Sequence, residues 1–152
     1  MAPCSAILKQ RPARAWLKAH ADPADTVLYV GVDWSEAHRT PAIVEGWSPW
    51  PVRFPMCEPP RLSKQDMLDA ARAAGLTPPR LYELGFSHNN CGGVCIRGGQ
   101  KHWLNLLNDF PRRYSEAERR EQELRAELGD VAILRERRGG VTRPLTLTEL
   151  RR

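Results

Sequence analysis

No long apolar run occurs in this sequence of 152 residues. A membrane-spanning helix needs about 20 predominantly apolar residues in succession, and no stretch here approaches that length. The first residues also lack the apolar core of a secretory signal, because Lys9, Arg11, Arg14 and Lys18 interrupt them. We therefore expect no membrane partner and a cytoplasmic location.

Cysteine is scarce as well, with four residues in the chain, and aromatic residues make up only 7%. Cytoplasmic thiols stay reduced, so we interpret these four as ligands, catalysts or core residues before disulfides. The hydrophobic fraction of 41% and the charged fraction of 27% exclude wholesale disorder. A net charge of +5 suits an anionic partner, such as a nucleotide, a sulfonucleotide or RNA, without selecting among them.

The stretch 78–100 carries two of the four cysteines, Cys91 and Cys95, with Gly92 and Gly93 between them and Asn90 just before. Asn and Gly accept positive φ at little cost, so such a chain folds tightly around a small object. Two thiols on one loop converge as a metal or an iron–sulfur cluster requires. The alternative is a glycine-rich turn with two unrelated thiols.

The rest of the chain predicts one α/β domain over residues 1–152, with more helix than strand. Residues 5–19 have the apolar spacing of an amphipathic helix. The apolar run Thr26–Val32 is typical of a central strand in a parallel sheet, and Val52–Phe54 predicts at most a short edge strand among prolines. Ser35 is a candidate helix cap that brings Glu36 and Arg39 onto one face.

Further helices are predicted after Ser63, where a capping-box pattern begins, and over residues 101–107. Tyr114–Leu128 predicts a strongly charged helix with a thin apolar stripe, which we interpret as solvated and not as a binding surface. A short strand over 131–134 should then pair with residues 144–147. His88 and His102 are metal-ligand candidates, with hydrogen-bonded surface or core histidines as the alternative.

Four motifs in this order, the last being the cysteine pair, resemble the C-terminal half of the phosphoadenosine phosphosulfate (PAPS) reductase-like family, within the PP-loop superfamily of adenine-nucleotide alpha hydrolases. The residues that carry the resemblance are Cys4, Lys9 and Pro12; Gly31, Glu36 and Arg39; and Leu81, Tyr82, Gly85, Phe86, Cys91 and Cys95. The resemblance implies part of a Rossmann-like three-layer fold with a short, mostly parallel sheet.

The resemblance also implies a function, a sulfonucleotide reductase or a sulfurtransferase. Lys9, Glu36 and Arg39 would then line the substrate side. A [4Fe-4S] cluster would be held by the four thiols Cys4, Cys57, Cys91 and Cys95.

The family's phosphate-binding PP-loop does not occur in this sequence. A phosphate cradle needs backbone amides at a helix N-terminus after a glycine-rich turn. We therefore expect a fragment or subunit that meets ATP or a sulfonucleotide only with a separate chain that bears the loop. The alternative is a protein of another class, a non-enzymatic zinc domain with four cysteine ligands that contacts nucleic acid, because zinc suits four thiolates equally well.

Overall fold

Helix dominates the chain, at 57% against 9% strand. This confirms the predicted α/β class with more helix than strand. The computed structural model describes residues 3–152. They divide into an N-terminal unit that ends at Leu76 and a C-terminal unit, Thr77–Arg152. Among these residues, the helices are all too short or too polar to cross a bilayer.

The N-terminal unit begins with a continuous helical segment, as predicted. A helical turn, α1 (Pro3–Ser5), runs through the π-helical turn Ala6–Gln10 into α2 (Arg11–His20). Pro12 lies in the first turn of α2 and has no amide hydrogen to donate, and the π-helical turn comes directly before it. Only Leu17 of this segment is buried.

The sheet of this unit is a parallel pair, β1 (Leu28–Tyr29) with β2 (Val52–Arg53). The predicted central strand Thr26–Val32 is therefore wrong in length and has one partner strand within the described residues. The edge strand is as short as predicted, because Pro51 and Pro55 flank it and cannot donate to the ladder.

Three further helices and a 3₁₀ turn, Pro55–Cys57, complete the unit. A 3₁₀ helix, Trp34–Arg39, leads into α3 (Thr40–Trp47), and its cap is Asp33, whose carboxylate accepts the Ser35 amide. The predicted Ser35 cap is thus wrong by two residues. The helix predicted after Ser63 is confirmed as α4 (Lys64–Ala73), with a capping box between Ser63 and Asp66.

The C-terminal unit has one core around a helical pair. Its elements are α5 (Arg80–Glu83), the 3₁₀ turn Asn90–Gly93, α6 (Gln100–Asp109), α7 (Pro111–Leu128), the antiparallel hairpin β3 (Leu134–Arg138) and β4 (Val141–Leu145), and α8 (Leu147–Leu150). Its core residues are Leu81, Phe86, Trp103, Leu106, Tyr114, Leu134, Leu145 and Leu147. A hairpin was predicted here, but its strand bounds were wrong, because the first strand begins where the predicted one ends and the second covers 141–145 in place of 144–147.

Two buried polar groups tie α7 to the segments that follow it. The Tyr114 hydroxyl donates to the Leu147 carbonyl at 2.7 Å. Glu121, 3% exposed, accepts the Ile133 amide at 2.8 Å and the Leu147 amide at 2.6 Å. Because buried backbone groups need partners, these contacts fix where the hairpin begins and where α8 starts.

Candidate functional site

The Cys91–Cys95 loop has an unusual backbone. Cys91 has φ +54°, Gly92 +58° and Gly93 +93°. Within residues 3–152, Cys91 is the one residue other than glycine with positive φ. A side chain in the left-handed region costs about 1–2 kcal/mol, so the surroundings must hold this cysteine in place.

Three side chains of the helical pair hold the loop. Arg113 on α7 donates to the Gly92 carbonyl at 2.8 Å, and His102 on α6 bonds the Gly93 carbonyl through Nε2 at 2.7 Å. A Cβ on Gly93 would lie 2.9 Å from Leu106 Cδ1. The loop therefore lies directly on α6, closer than any side chain at Gly93 would allow.

His102 is a positioning residue for this loop. A bond to a carbonyl requires the proton on Nε2, which leaves Nδ1 as a buried acceptor without a hydrogen-bond partner. The ring is 7% exposed, meets Phe86 edge-on and leaves no space for a Cβ on Gly98. The hydrogen-bonded core histidine foreseen as an alternative is thus the observed state of His102.

A cavity of about 990 Å³ opens beside Cys91 in the C-terminal unit. Its apolar lining comes from the loop and the residue that follows it, from α6, from α7 and from the segment before β3. These residues are Val94, Ile96, Trp103, Ala117, Leu124, Leu128, Val131, Ala132 and Ile133. The sequence predicts that this helix is solvated and not a binding surface, whereas its apolar stripe forms one wall of a cavity.

The cavity's charged groups come from residues 112–121 of α7. Arg112, Arg113 and Arg120 line it with Glu116 and Glu121. Hydrogen bonds from Arg119, and then its charge, keep the pKa of Glu116 below its ordinary value. The sequence did not single out these arginines, because the same residues serve the i, i+4 ion pairs of any solvated helix.

The predicted substrate-side residues lie in the N-terminal unit and are exposed. Lys9 is in the π-helical turn, and Arg39 pairs with Glu36 at 2.8 Å. With each side chain about half exposed, a pair of this kind contributes up to about 1 kcal/mol. The geometry of Glu36 and Arg39 is that of an ordinary surface ion pair, so their role in binding substrate stays a prediction.

The four predicted thiol ligands divide between the two units. Cys4 is exposed on α1, and the Cys57 thiol donates to the Val32 carbonyl at 3.3 Å. Cys91 is exposed and Cys95 half-buried in the loop of the C-terminal unit. Cys4, Cys57 and Cys95 are not in disulfides.

Neither unit by itself fits a four-thiolate site, since each holds two of the cysteines. Across residues 3–152, no three His, Cys, Asp or Glu side chains gather as a metal site would require. The His88 and His102 rings lie with centroids 4.8 Å apart and are tilted by 31°, but they belong to no such group. The [4Fe-4S] cluster and the alternative zinc site therefore stay predictions.

Comparison of the chain with protein-family models, curated proteins and solved structures gives no significant match. The local geometry and the sequence motifs are thus the basis for a function.

Proposed function

We propose that this chain is a PAPS reductase-like protein of sulfur metabolism, of the sulfonucleotide reductase or sulfurtransferase type, acting as a fragment or subunit. The order of the motifs through Leu81, Tyr82, Gly85 and Phe86 to Cys91 and Cys95 supports this proposal. The absence of a PP-loop from the sequence supports a separate chain as the source of nucleotide binding.

The observation that carries the proposal is the constrained thiol at Cys91. Its backbone has positive φ, its neighbour Gly92 is bound by Arg113, and its side chain borders a cavity. Strained backbone concentrates at sites where geometry serves chemistry. Cationic side chains near a thiol favour the thiolate, which is the nucleophile and the metal ligand.

The iron–sulfur cluster enters this proposal through the resemblance alone. It would be held by Cys4, Cys57, Cys91 and Cys95, and bound sulfur or an electron would be handled there. Lys9, Glu36 and Arg39 would bind the sulfonucleotide together with the separate PP-loop chain. The chain alone should then bind ATP or PAPS weakly or not at all.

The test is anaerobic purification followed by iron and zinc analysis and an absorption spectrum. A cluster gives brown protein with a broad band near about 400 nm. Cys91→Ser should remove the metal, and Cys4→Ser, at the exposed start of the helical segment, should remove less. The cluster would be refuted if the unsubstituted protein contained no metal and both variants folded as that protein does.

A thiol assay tests the same site without metal. Alkylation by iodoacetamide, followed by mass spectrometry of each cysteine peptide, should label Cys91 faster than Cys57, whose thiol is engaged by Val32. Equal rates at the two positions in folded protein would contradict a specialised thiol at Cys91.

The zinc domain that contacts nucleic acid has one supporting observation of its own. The β3–β4 hairpin presents exposed arginines at positions 135, 137 and 138, none of which makes an ion pair within the described part of the chain. Phosphate contacts of this kind give salt-dependent binding. Colourless protein with bound zinc, and RNA binding that Arg137→Gln weakens, would favour this alternative.

A further inference from the structure

We propose that the cavity beside Cys91 is a binding site for a small amphipathic organic anion. The apolar or aromatic body would occupy the half formed by the end of α7, and the acidic group would meet the arginines at its start. This proposal goes beyond the sulfur chemistry and does not require Cys91 to react.

The apolar half is made of side chains that the C-terminal unit leaves open to solvent. Leu124 is 52% exposed, Leu128 65%, Ile96 58% and Val131 38%. They border one concave volume instead of being scattered singly. Contiguous exposed apolar surface of this kind marks an interaction site more often than single exposed leucines do.

The charged half has a surplus of cations. Arg112 has no carboxylate partner within residues 3–152, and Arg113 is bound to a carbonyl and lies over the Phe110 ring at 5.1 Å. Arg120 shares Glu116 with Arg119. An acidic group would therefore find a guanidinium that the fold has not already neutralised.

The remaining carboxylate of the cavity does not cancel this surplus. Both oxygens of Glu121 accept backbone amides, from Ile133 and Leu147. Three guanidiniums therefore line the cavity together with two carboxylates. Glu121 is bound to the backbone, and Glu116 is shared between Arg119 and Arg120.

The size and lining favour a small molecule over a macromolecule. Ligand cavities are commonly about 300–1,000 Å³ and mostly apolar, with a few convergent polar groups. Along α7, Arg112 and Leu128 are 16 residues apart, or roughly 24 Å at about 1.5 Å per residue. That is the length of the lining along α7, and a molecule with its acid at one end would occupy part of it.

The probe is anilinonaphthalene sulfonate, an aromatic body with one sulfonate, compared with the neutral phenylnaphthylamine. Fluorescence titration of the full chain should give one sulfonate probe bound per chain, with an affinity about tenfold above that of the neutral probe. Near-ultraviolet circular dichroism of each protein excludes a loosened core, which also binds such dyes.

Three variants and a control assign the binding. Arg112→Gln should weaken the sulfonate about tenfold and leave the neutral probe unchanged. Leu124→Gln should weaken both probes, and Leu128→Gln replaces it if that protein loses its near-ultraviolet signal. Arg137→Gln, on the hairpin and outside the cavity lining, should change neither. Cys57→Ser, at a proposed cluster ligand outside the cavity lining, should retain binding, which separates this test from that of the proposed function.

Equal affinity for the two probes, or a sulfonate affinity that Arg112→Gln does not lower, would overturn the anion site. An amphipathic acidic peptide that displaces the probe at lower concentration than any small aromatic or aliphatic acid would also overturn it, in favour of a protein partner. No saturable binding to protein with an intact near-ultraviolet spectrum would refute the site altogether.

Discussion

Replacing Glu121 with alanine should destabilise the C-terminal unit more than the loss of any other charged side chain on α7. Glu121 lies in the middle of the helix, 3% exposed, and its two oxygens accept two backbone amides. One amide belongs to Ile133, just before β3, and the other to Leu147, the first residue of α8. The side chain therefore bridges three elements.

The magnitude follows from what alanine leaves behind. The Leu147 amide is buried, so losing its acceptor costs about 1–3 kcal/mol. The Ile133 amide is half-buried and reachable by water, so its loss costs nearer the ordinary 0.5–1.5 kcal/mol of a hydrogen bond. Together we expect a loss of about 2–4 kcal/mol, a large share of a typical total of about 5–15 kcal/mol.

The assay is urea denaturation followed by circular dichroism, with amide hydrogen exchange to locate the effect. Glu121→Ala should lower the free energy of unfolding and speed exchange at Ile133 and Leu147 first. Glu121→Gln should have a smaller effect, because its amide oxygen still accepts one of the two bonds. Glu123→Gln on the same helix is the control, since its exposed ion pair with Arg119 contributes at most about 1 kcal/mol.

The reasoning is refuted if Glu121→Ala and Glu123→Gln lower the unfolding free energy equally. It is also refuted if exchange speeds up uniformly along the unit, because the bridge would then have no local role. A thermal midpoint lowered by at least about 8 °C, at about 4–8 °C per kcal/mol for a domain of this size, would agree with the estimate.

Three further predictions concern single residues. The pKa of Glu149 is held at about 2, below its ordinary 4.5, so stability should fall from about pH 4.5 towards pH 2, and Glu149→Gln should flatten that part of a urea-midpoint profile. Gly93→Ala should cost about 1–3 kcal/mol from positive φ and crowding against Leu106, whereas Gly99→Ala, with open space, should be tolerated in the same denaturation assay. Burial raises the pKa of Tyr114 to about 12, so stability should be lost as pH rises from about 10 to 12, and Tyr114→Phe should remove the last tyrosinate step in the ultraviolet titration.

The helices were largely readable from the sequence. The capping box at Ser63, the amphipathic spacing of 5–19 and the charged run to Leu128 each predicted a helix that the structure contains. Capping and periodicity act within a few residues, so local sequence suffices to state them.

The strands were less readable, because pairing needs a partner elsewhere in the chain. The run Thr26–Val32 has strand composition throughout, yet only Leu28 and Tyr29 pair, since the partner segment is confined by prolines. On α6, Leu104 is 40% exposed while His102 and Leu106 are buried, a division that the residue types alone do not indicate.

The candidate site was less predictable from the sequence than the helices were. The sequence by itself indicated the Cys91–Cys95 loop, because two thiols lie close together among Asn and Gly residues that permit a tight turn. Only the tertiary structure shows that Arg113 and His102 hold this loop. It also shows that both oxygens of Glu121 accept backbone amides, and that Arg112 has no carboxylate partner within residues 3–152. An arginine or glutamate on a charged helix looks the same in sequence whether it faces water or a cavity, and its role is set by contacts many residues away.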